Sequence, residues 1–159
     1  MGAIRMIYGG FWVRFVAYLI DAIIIGIAST IIRLAVSLVL GTGLSILTGG
    51  GSIVILVIST LISFVAGWLY HAVMESSDKQ ATFGKQAMGL IVMDTNGYRI
   101  SFGRATGRYF AKILSGVILY IGFVMIAFTD RKQGLHDMIA DTLVVKGDRG
   151  ALRYGETFG

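Results

Sequence analysis

Apolar positions gather in three blocks along the chain. The first runs from Phe11 to Leu40 and is interrupted by Arg14, Asp21 and Arg33. The second, Ile53 to Met74, carries no formal charge, and no Asp, Glu, Lys or Arg occurs between Arg33 and Glu75. The third, Ile113 to Phe128, is preceded by Lys112 and broken by Gly116 and Gly122. At 1.5 Å of rise per residue, a hydrocarbon core of ~30 Å takes about 20 helical residues. The first block exceeds that length and the second meets it. The third is short. It spans if Lys112 snorkels and the bilayer thins locally, or it turns back as a re-entrant or interfacial hairpin. Glycine-rich punctuation at Gly41-Thr42-Gly43 and Gly49-Gly50-Gly51-Ser52 reads Leu40–Ser52 as a short uncharged loop between the first two helices.

A different period appears between the second and third blocks. Leu90–Asp94 (LIVMD) is strand-like, then Thr95-Asn96-Gly97 leads into Tyr98–Ser101. Asn-Gly between two such runs is a strong hairpin signal. A lone hairpin is marginal in water. The β-branched run Thr142–Lys146 (TLVVK) offers a third strand if it lies on the same side of the membrane. The fold class expected is an all-α membrane protein: two long transmembrane helices, a third short re-entrant or spanning segment, and a small cytoplasmic β-hairpin with a third strand. Residues 8–147 form one membrane domain and 148–159 a polar tail.

Composition agrees with the pattern. Of 159 residues, 55% are hydrophobic and 14% charged, where a soluble domain carries about 25% charged residues. One core of this size could not hide that much apolar surface, so an ordinary soluble domain and a disordered chain are both excluded. Cysteine is absent and only His71 and His136 are present, which leaves no thiolate chemistry and argues against a metal site. No Ser-His-Asp, paired-carboxylate or HExxH arrangement occurs. The expectation is a protein that is not an enzyme and has no cofactor.

The net charge of +5 reads as topology rather than as a nucleic-acid signal. Lys79, Lys85, Arg99, Arg104 and Arg108 follow the second block; Arg131, Lys132, Lys146, Arg149 and Arg153 follow the third. Positive charge favours the inner face. That places the N-terminus and both basic regions in the cytoplasm, with the uncharged first loop outside, and it favours the third block returning to the side it left. Asp21 inside the first block argues against a cleaved signal peptide. The localisation expected is the bacterial cytoplasmic (inner) membrane, multi-pass.

Few charges remain where chemistry can hide. Asp21 lies ten residues into the first block, ~15 Å along a helix starting at Phe11 and therefore near the bilayer midplane. A charge there costs roughly 2.5–3.5 kcal/mol. Arg14, seven residues earlier, projects from the same face. The pair reads either as a proton or ion relay or as buried charges that pin helix packing. Arg33 reads as a snorkelling residue at the outer interface. His71 and Glu75, one turn apart, form a proton-handling pair or part of an interfacial belt with Trp68 and Tyr70. Ser29, Thr30, Ser59, Thr60 and Ser63 read as helix-packing positions. Arg104, Arg108 and Lys112 recur at spacing four. Such a stripe meets anionic lipid headgroups, or supplies a cation to Asp21 or Asp137 if the helix dips inward. Asp130–Asp137 is the densest polar segment beside the membrane, with His136 and Asp137 diverging by about 100° on a helix.

These pieces resemble the RDD family of small bacterial membrane proteins, named for one arginine and two aspartates. GGFWVRFVAYLIDAII (Gly9–Ile24) looks like its first helix. QATFGKQAMGLIVMDTNGYRISFGRATGRYF (Gln80–Phe110) looks like its central loop, and RKQGLHDMIADTLVVK (Arg131–Lys146) like its last motif. The resemblance covers roughly residues 8–147. It departs where the family usually carries glycine and this chain carries Asp141. It implies a multi-spanning protein with suspected transport activity, some members being linked to cation/proton antiport. Arg14, Asp21 and Asp137 carry over as the named positions. The expectation is a transport-related homo-oligomer. Asp21 would be its protonatable carboxylate, tuned by Arg14, and Asp137 with Arg108 or Arg131 would form an inner gate. The alternative is a non-transporting scaffold or accessory subunit whose basic face binds anionic lipid headgroups or a partner protein.

Overall fold

The computed structural model describes residues 7–48, 51–117 and 121–147. The order is β1 (Ile7–Tyr8), α1 (Phe11–Thr48), α2 (Gly51–Ser76), α3 (Phe83–Ala87), β2 (Leu90–Asp94), α4 (Phe102–Val117), α5 (Ile121–Phe128), α6 (Leu135–Ile139) and β3 (Thr142–Lys146). The chain is mostly helical, with a three-stranded antiparallel sheet.

The two long helices correspond to the first two apolar blocks, and both are long and apolar enough to cross a membrane. They lie against each other as an antiparallel pair, so that Asp21 on α1 meets Tyr70 near the end of α2. Their outer faces stay exposed: Trp12 is 74% accessible and Leu38 79%. The glycines expected to end the first helix do not. α1 continues through Gly41 and Gly43 to Thr48; residues 49–50 lie outside the described residues. A glycine inside a helix costs only about 1 kcal/mol relative to alanine, while leaving the helix inside a bilayer strands backbone donors and acceptors that no water can satisfy.

The expected hairpin is corrected. Asn96-Gly97 does reverse the chain, with Gly97 at φ +85°, but Tyr98–Ser101 forms no strand. Asp94 captures the turn: its Oδ1 accepts the N–H groups of Asn96 and Tyr98. Two backbone bonds close it, Asp94 N–H to Tyr98 O and Gly97 N–H to Asp94 O, and no ladder continues beyond them. β2 pairs instead with β3, Val92 opposite Val144, and β1 adds on the far side in the order β1-β3-β2. The strand from the end of the chain is thus the centre of the sheet. Alternation then sorts side chains by face. Leu90, Val92 and Val144 pack with Ala17 of α1, Ala72 of α2 and Ile100. Ile91, Met93, Leu143 and Val145 pack on the opposite face with Tyr8.

The third apolar block is divided between the end of α4 and α5, with residues 118–120 outside the described residues. α4 is amphipathic and crosses α2. Phe102 and Phe110 are eight residues apart, ~12 Å along the axis, yet both rings lie within 6.3 Å of Trp68. The polar tail 148–159 also lies outside the described residues.

Candidate functional site

The charged side chains converge where the helix pair meets the sheet. Glu75, in the last turn of α2, is the first centre. Its Oε1 accepts from Lys85 of α3 and, at 3.2 Å, from Lys112 of α4; its Oε2 accepts from Arg108 Nη1 at 2.7 Å. Asp137 of α6 is the second. Its Oδ1 accepts from Arg108 Nε at 2.9 Å and Nη2 at 2.5 Å, and its Oδ2 from Arg14 Nη1. Arg108 therefore bridges the two carboxylates. Its planar fork allows this, where a lysine offers a single point of charge. Arg108 is 1% exposed and Asp137 0%.

Four cations and two carboxylates from α1, α2, α3, α4 and α6 form one buried network. Arg14 ties in the backbone as well, donating to Gly9 O at 2.7 Å and to Lys132 O at 2.7 Å. Asp137 also accepts the Gly134 N–H at 3.2 Å, which caps the start of α6. Burial alone would raise the Asp137 pKa, but Arg108 and Arg14 hold it well below the usual carboxylate range. Burial pushes Lys85 down to about 7 against the opposing pull of Glu75. Burial likewise pushes His136 down to about 3, against Asp137.

Asp21 stands apart from this network. Tyr70 OH donates to its Oδ1 at 2.7 Å and Thr82 OH to its Oδ2 at 2.6 Å. The Gly84 N–H donates to Oδ1 at 2.8 Å. All three donors are uncharged, and Asp21 is 3% exposed. Gly84 must be a glycine here, since a Cβ would lie 2.1 Å from the Ala17 carbonyl oxygen. Glycine is what allows the short helix α3 to press against α1.

The structure rearranges the expected site. Arg14 and Asp21 share a helix but not a partner, because Arg14 reaches Asp137. Asp137 meets Arg108, as one expectation had it, whereas Arg131 is exposed. The stripe turns inward: Arg108 and Lys112 serve Glu75 and Asp137, and Arg104 reaches Asp94 at 3.4 Å. His71 Nδ1 lies 3.7 Å from Glu75 Oε1. His136 and Asp137 do not diverge, since Nε2 comes within 3.5 Å of Oδ1; α6 is a single turn and both side chains fold toward the network. Asp21 is surrounded by polar donors rather than by apolar side chains alone. The polar segment after α2 folds back onto it. α1 has 38 residues, about 57 Å of rise, which is long enough to cross a bilayer even without its first turns.

Sequence reading missed Lys85 and Lys112 as partners of Glu75, and Tyr70, Thr82 and Gly84 as the shell of Asp21. The i,i+4 relation of His71 to Glu75 and the spacing of Arg108 and Lys112 were usable signals. Nothing local pointed from Thr82 or Gly84 to a residue sixty positions earlier. Among the described residues, no group of three or more His, Cys, Asp or Glu side chains could hold a metal ion.

Comparison with known proteins places this arrangement. Uncharacterized protein YxaI of Bacillus subtilis (strain 168) is 43% identical over 145 residues, covering 86% of this chain and 95% of its own length. Uncharacterized membrane protein YteJ of the same organism is 34% identical over 144 residues, covering 87% of this chain and 80% of its own. No solved structure matches the chain significantly. The RDD family model matches residues 8–141, a span that takes in Arg14, Asp21 and Asp137. The chain belongs to the RDD family.

Proposed function

We propose that this membrane protein exchanges a proton or cation through Asp21, acting as a homo-oligomer in the cytoplasmic membrane. The observation that carries this reading is the contrast among its buried carboxylates. Glu75 and Asp137 are ion-paired, so neutralising either one strands buried cations. Among the described residues Asp21 meets only neutral donors, two of them hydroxyls that can turn and accept a hydrogen bond. It can gain and lose a proton without breaking an ion pair. Arg14 and Asp137 then act as structural anchors, and the inner closure over Asp21 falls to the segment carrying Thr82 and Gly84 instead of Asp137. Two long helices enclose no pathway, so transport needs further copies.

The topology goes with this reading. β1 precedes α1, β2 follows α2 and β3 follows α5, and all three share one sheet. That favours an N-terminus, central segment and closing motif on one cytoplasmic side, with residues 113–128 returning to the side they left. The name of the relative YteJ, a membrane protein, agrees. The chain has no cysteine, so a single thiol introduced at Gly150 should label from the cytoplasmic side; labelling only from outside would refute this arrangement.

The test of function is flux. Purified protein in liposomes should dissipate an imposed proton or cation gradient, and Asp21→Asn should abolish this while remaining folded. Flux no greater than in empty liposomes would sink the proposal. It would favour the second reading, a scaffold or accessory subunit, which the completeness of the hydrogen bonding around Asp21 supports. Detergent light scattering separates the two further, because a strict monomer is incompatible with a transport path.

A further inference from the structure

Asp21 is covered from the sheet side by one short segment. Ala81, Thr82, Gly84 and Lys85 are buried, while Phe83 faces outward. The segment is fastened at two carboxylates. Thr82 and Gly84 donate to Asp21, and Lys85 donates to Glu75. Between them the Phe83 N–H donates to the Tyr70 hydroxyl at 3.0 Å, the same hydroxyl that donates to Asp21. The segment is bounded by two left-handed residues, Gln80 at φ +50° and Gly89 at φ +63°. Its contact with α1 is made at a glycine that leaves no room for a Cβ.

We infer that residues 80–89 form a strap over Asp21 that is latched by the negative charge of Asp21 itself. This rests on the reading of Asp21 as the exchanging carboxylate and names what controls access to it. An ionised carboxylate accepts the Thr82 and Gly84 bonds as strong charge-assisted interactions. When a proton or cation neutralises Asp21, both bonds weaken and one oxygen is no longer free to accept. Lys85 remains on Glu75 and tethers the strap from its other side. The strap then lifts at the Asp21 end and opens the site to the cytoplasm only when it is loaded.

The groups facing Asp21 are few. Tyr70 comes from α2, and Thr82 and Gly84 from the strap. Glu75 lies behind Lys85, where Arg108 and Lys112 of α4 and His71 of α2 also face it. Arg14, on the same helix as Asp21, is committed to Asp137.

Thiol accessibility under the strap tests this. Ala17 lies on α1 one turn before Asp21, buried at 1%, and its carbonyl faces Gly84. Ala17→Cys in an otherwise cysteine-free chain reports lifting of the strap. Gly103→Cys, exposed at the start of α4, reports the intrinsic maleimide rate. The ratio of the two rates should rise at least tenfold as the medium is acidified. In an Asp21→Asn background it should be high throughout and independent of pH. Gly84→Ala, whose Cβ would press on both the Ala17 carbonyl and the Asp21 carboxylate, should raise it likewise by wedging the strap from α1. Should Asp21→Asn fail to fold, the pH series and Gly84→Ala still decide. A ratio that stays constant across pH and in Gly84→Ala overturns the strap. Constant ratios with intact flux sink the strap alone, whereas a responsive strap without flux sinks the transport reading alone.

Discussion

Two acidic centres lie side by side in this protein and are built on opposite principles. Around Glu75 and Asp137, cations outnumber carboxylates and every charge is held by another charge. Around Asp21, among the described residues, there is a carboxylate and no cation, only hydroxyls and one backbone N–H. The first centre joins five helices and is suited to fixing how they meet. Buried ion pairs are weak evidence for stability but can specify one arrangement, because any other leaves a charge stranded. The second centre joins α1, α2 and α3 and holds its carboxylate by hydrogen bonds rather than by an ion pair. The family's arginine and second aspartate belong to the first; its first aspartate belongs to the second.

The sharpest way to break this comparison is Arg108→Met. Both carboxylates lose their shared cation, and removing one partner of a buried ion pair typically costs about 3–5 kcal/mol. Thermal unfolding in detergent should show a large fall, with only partial recovery in Arg108→Lys, since one ammonium cannot bridge Glu75 and Asp137. Asp21→Asn should cost less, about 1–2 kcal/mol, because the amide oxygen still accepts while the charge assistance is lost. If the two variants were equally destabilised, Asp21 would be part of the same structural lock and the distinction would fall.

Gly84→Ala probes the join between the centres. A Cβ placed 2.1 Å from the Ala17 carbonyl forces backbone to move, and overpacking of this kind typically costs about 1–3 kcal/mol. The loss should appear as lower thermal stability, with the Glu75–Arg108–Asp137 network intact and Arg108→Met still strongly destabilising in the Gly84→Ala background.

The pH dependence should come from the lock. His136 sits beside Asp137 with its pKa pushed down by burial to about 3 from an ordinary 6.5. The fold therefore favours the neutral imidazole, while the unfolded chain takes up a proton below 6.5. The His136 contribution to stability is complete above that value and is lost as pH falls toward 3, with a slope of at most about 1.4 kcal/mol per pH unit for one proton. His136→Gln should flatten unfolding midpoints between pH 4 and 6.5. An unchanged slope would place the titrating group elsewhere.

What was legible in the sequence divides along the same line. The two long helices, the strands at 90–94 and 142–146, and the charged positions within apolar surroundings follow from local pattern, because periodicity and the cost of burying charge act residue by residue. Pairing does not. Arg14 and Asp21 share a helix face, yet the partner of Arg14 lies 123 positions away. The Asn96-Gly97 turn was visible, but Asp94 ends the strand by bonding its own turn, and β2 completes itself with β3. The close approach of Gly84 to α1 carries no signal at all, since a glycine in a loop looks alike whether it frees a turn or admits a neighbouring backbone.

Asp141 is the smallest test, and it concerns the edge of the lock. It follows α6 with φ +53°, donating its N–H to Met138 O at 3.2 Å, and its side chain is exposed. That is the left-handed position after a helix where glycine is favoured, which explains why the resemblance showed glycine as the family's usual residue here. Aspartate tolerates the conformation better than most residues but still strains it. Asp141→Gly should therefore relieve strain, offset in part by the greater freedom of glycine in the unfolded chain, for a net stabilisation of up to about 1 kcal/mol. Because Thr142 begins β3 immediately afterwards and its hydroxyl donates to the Asp137 carbonyl at 3.3 Å, the gain should appear in thermal unfolding and leave the accessibility of a thiol at position 17 unchanged. A destabilised Asp141→Gly would mean that the exposed carboxylate contributes more than its backbone strain costs.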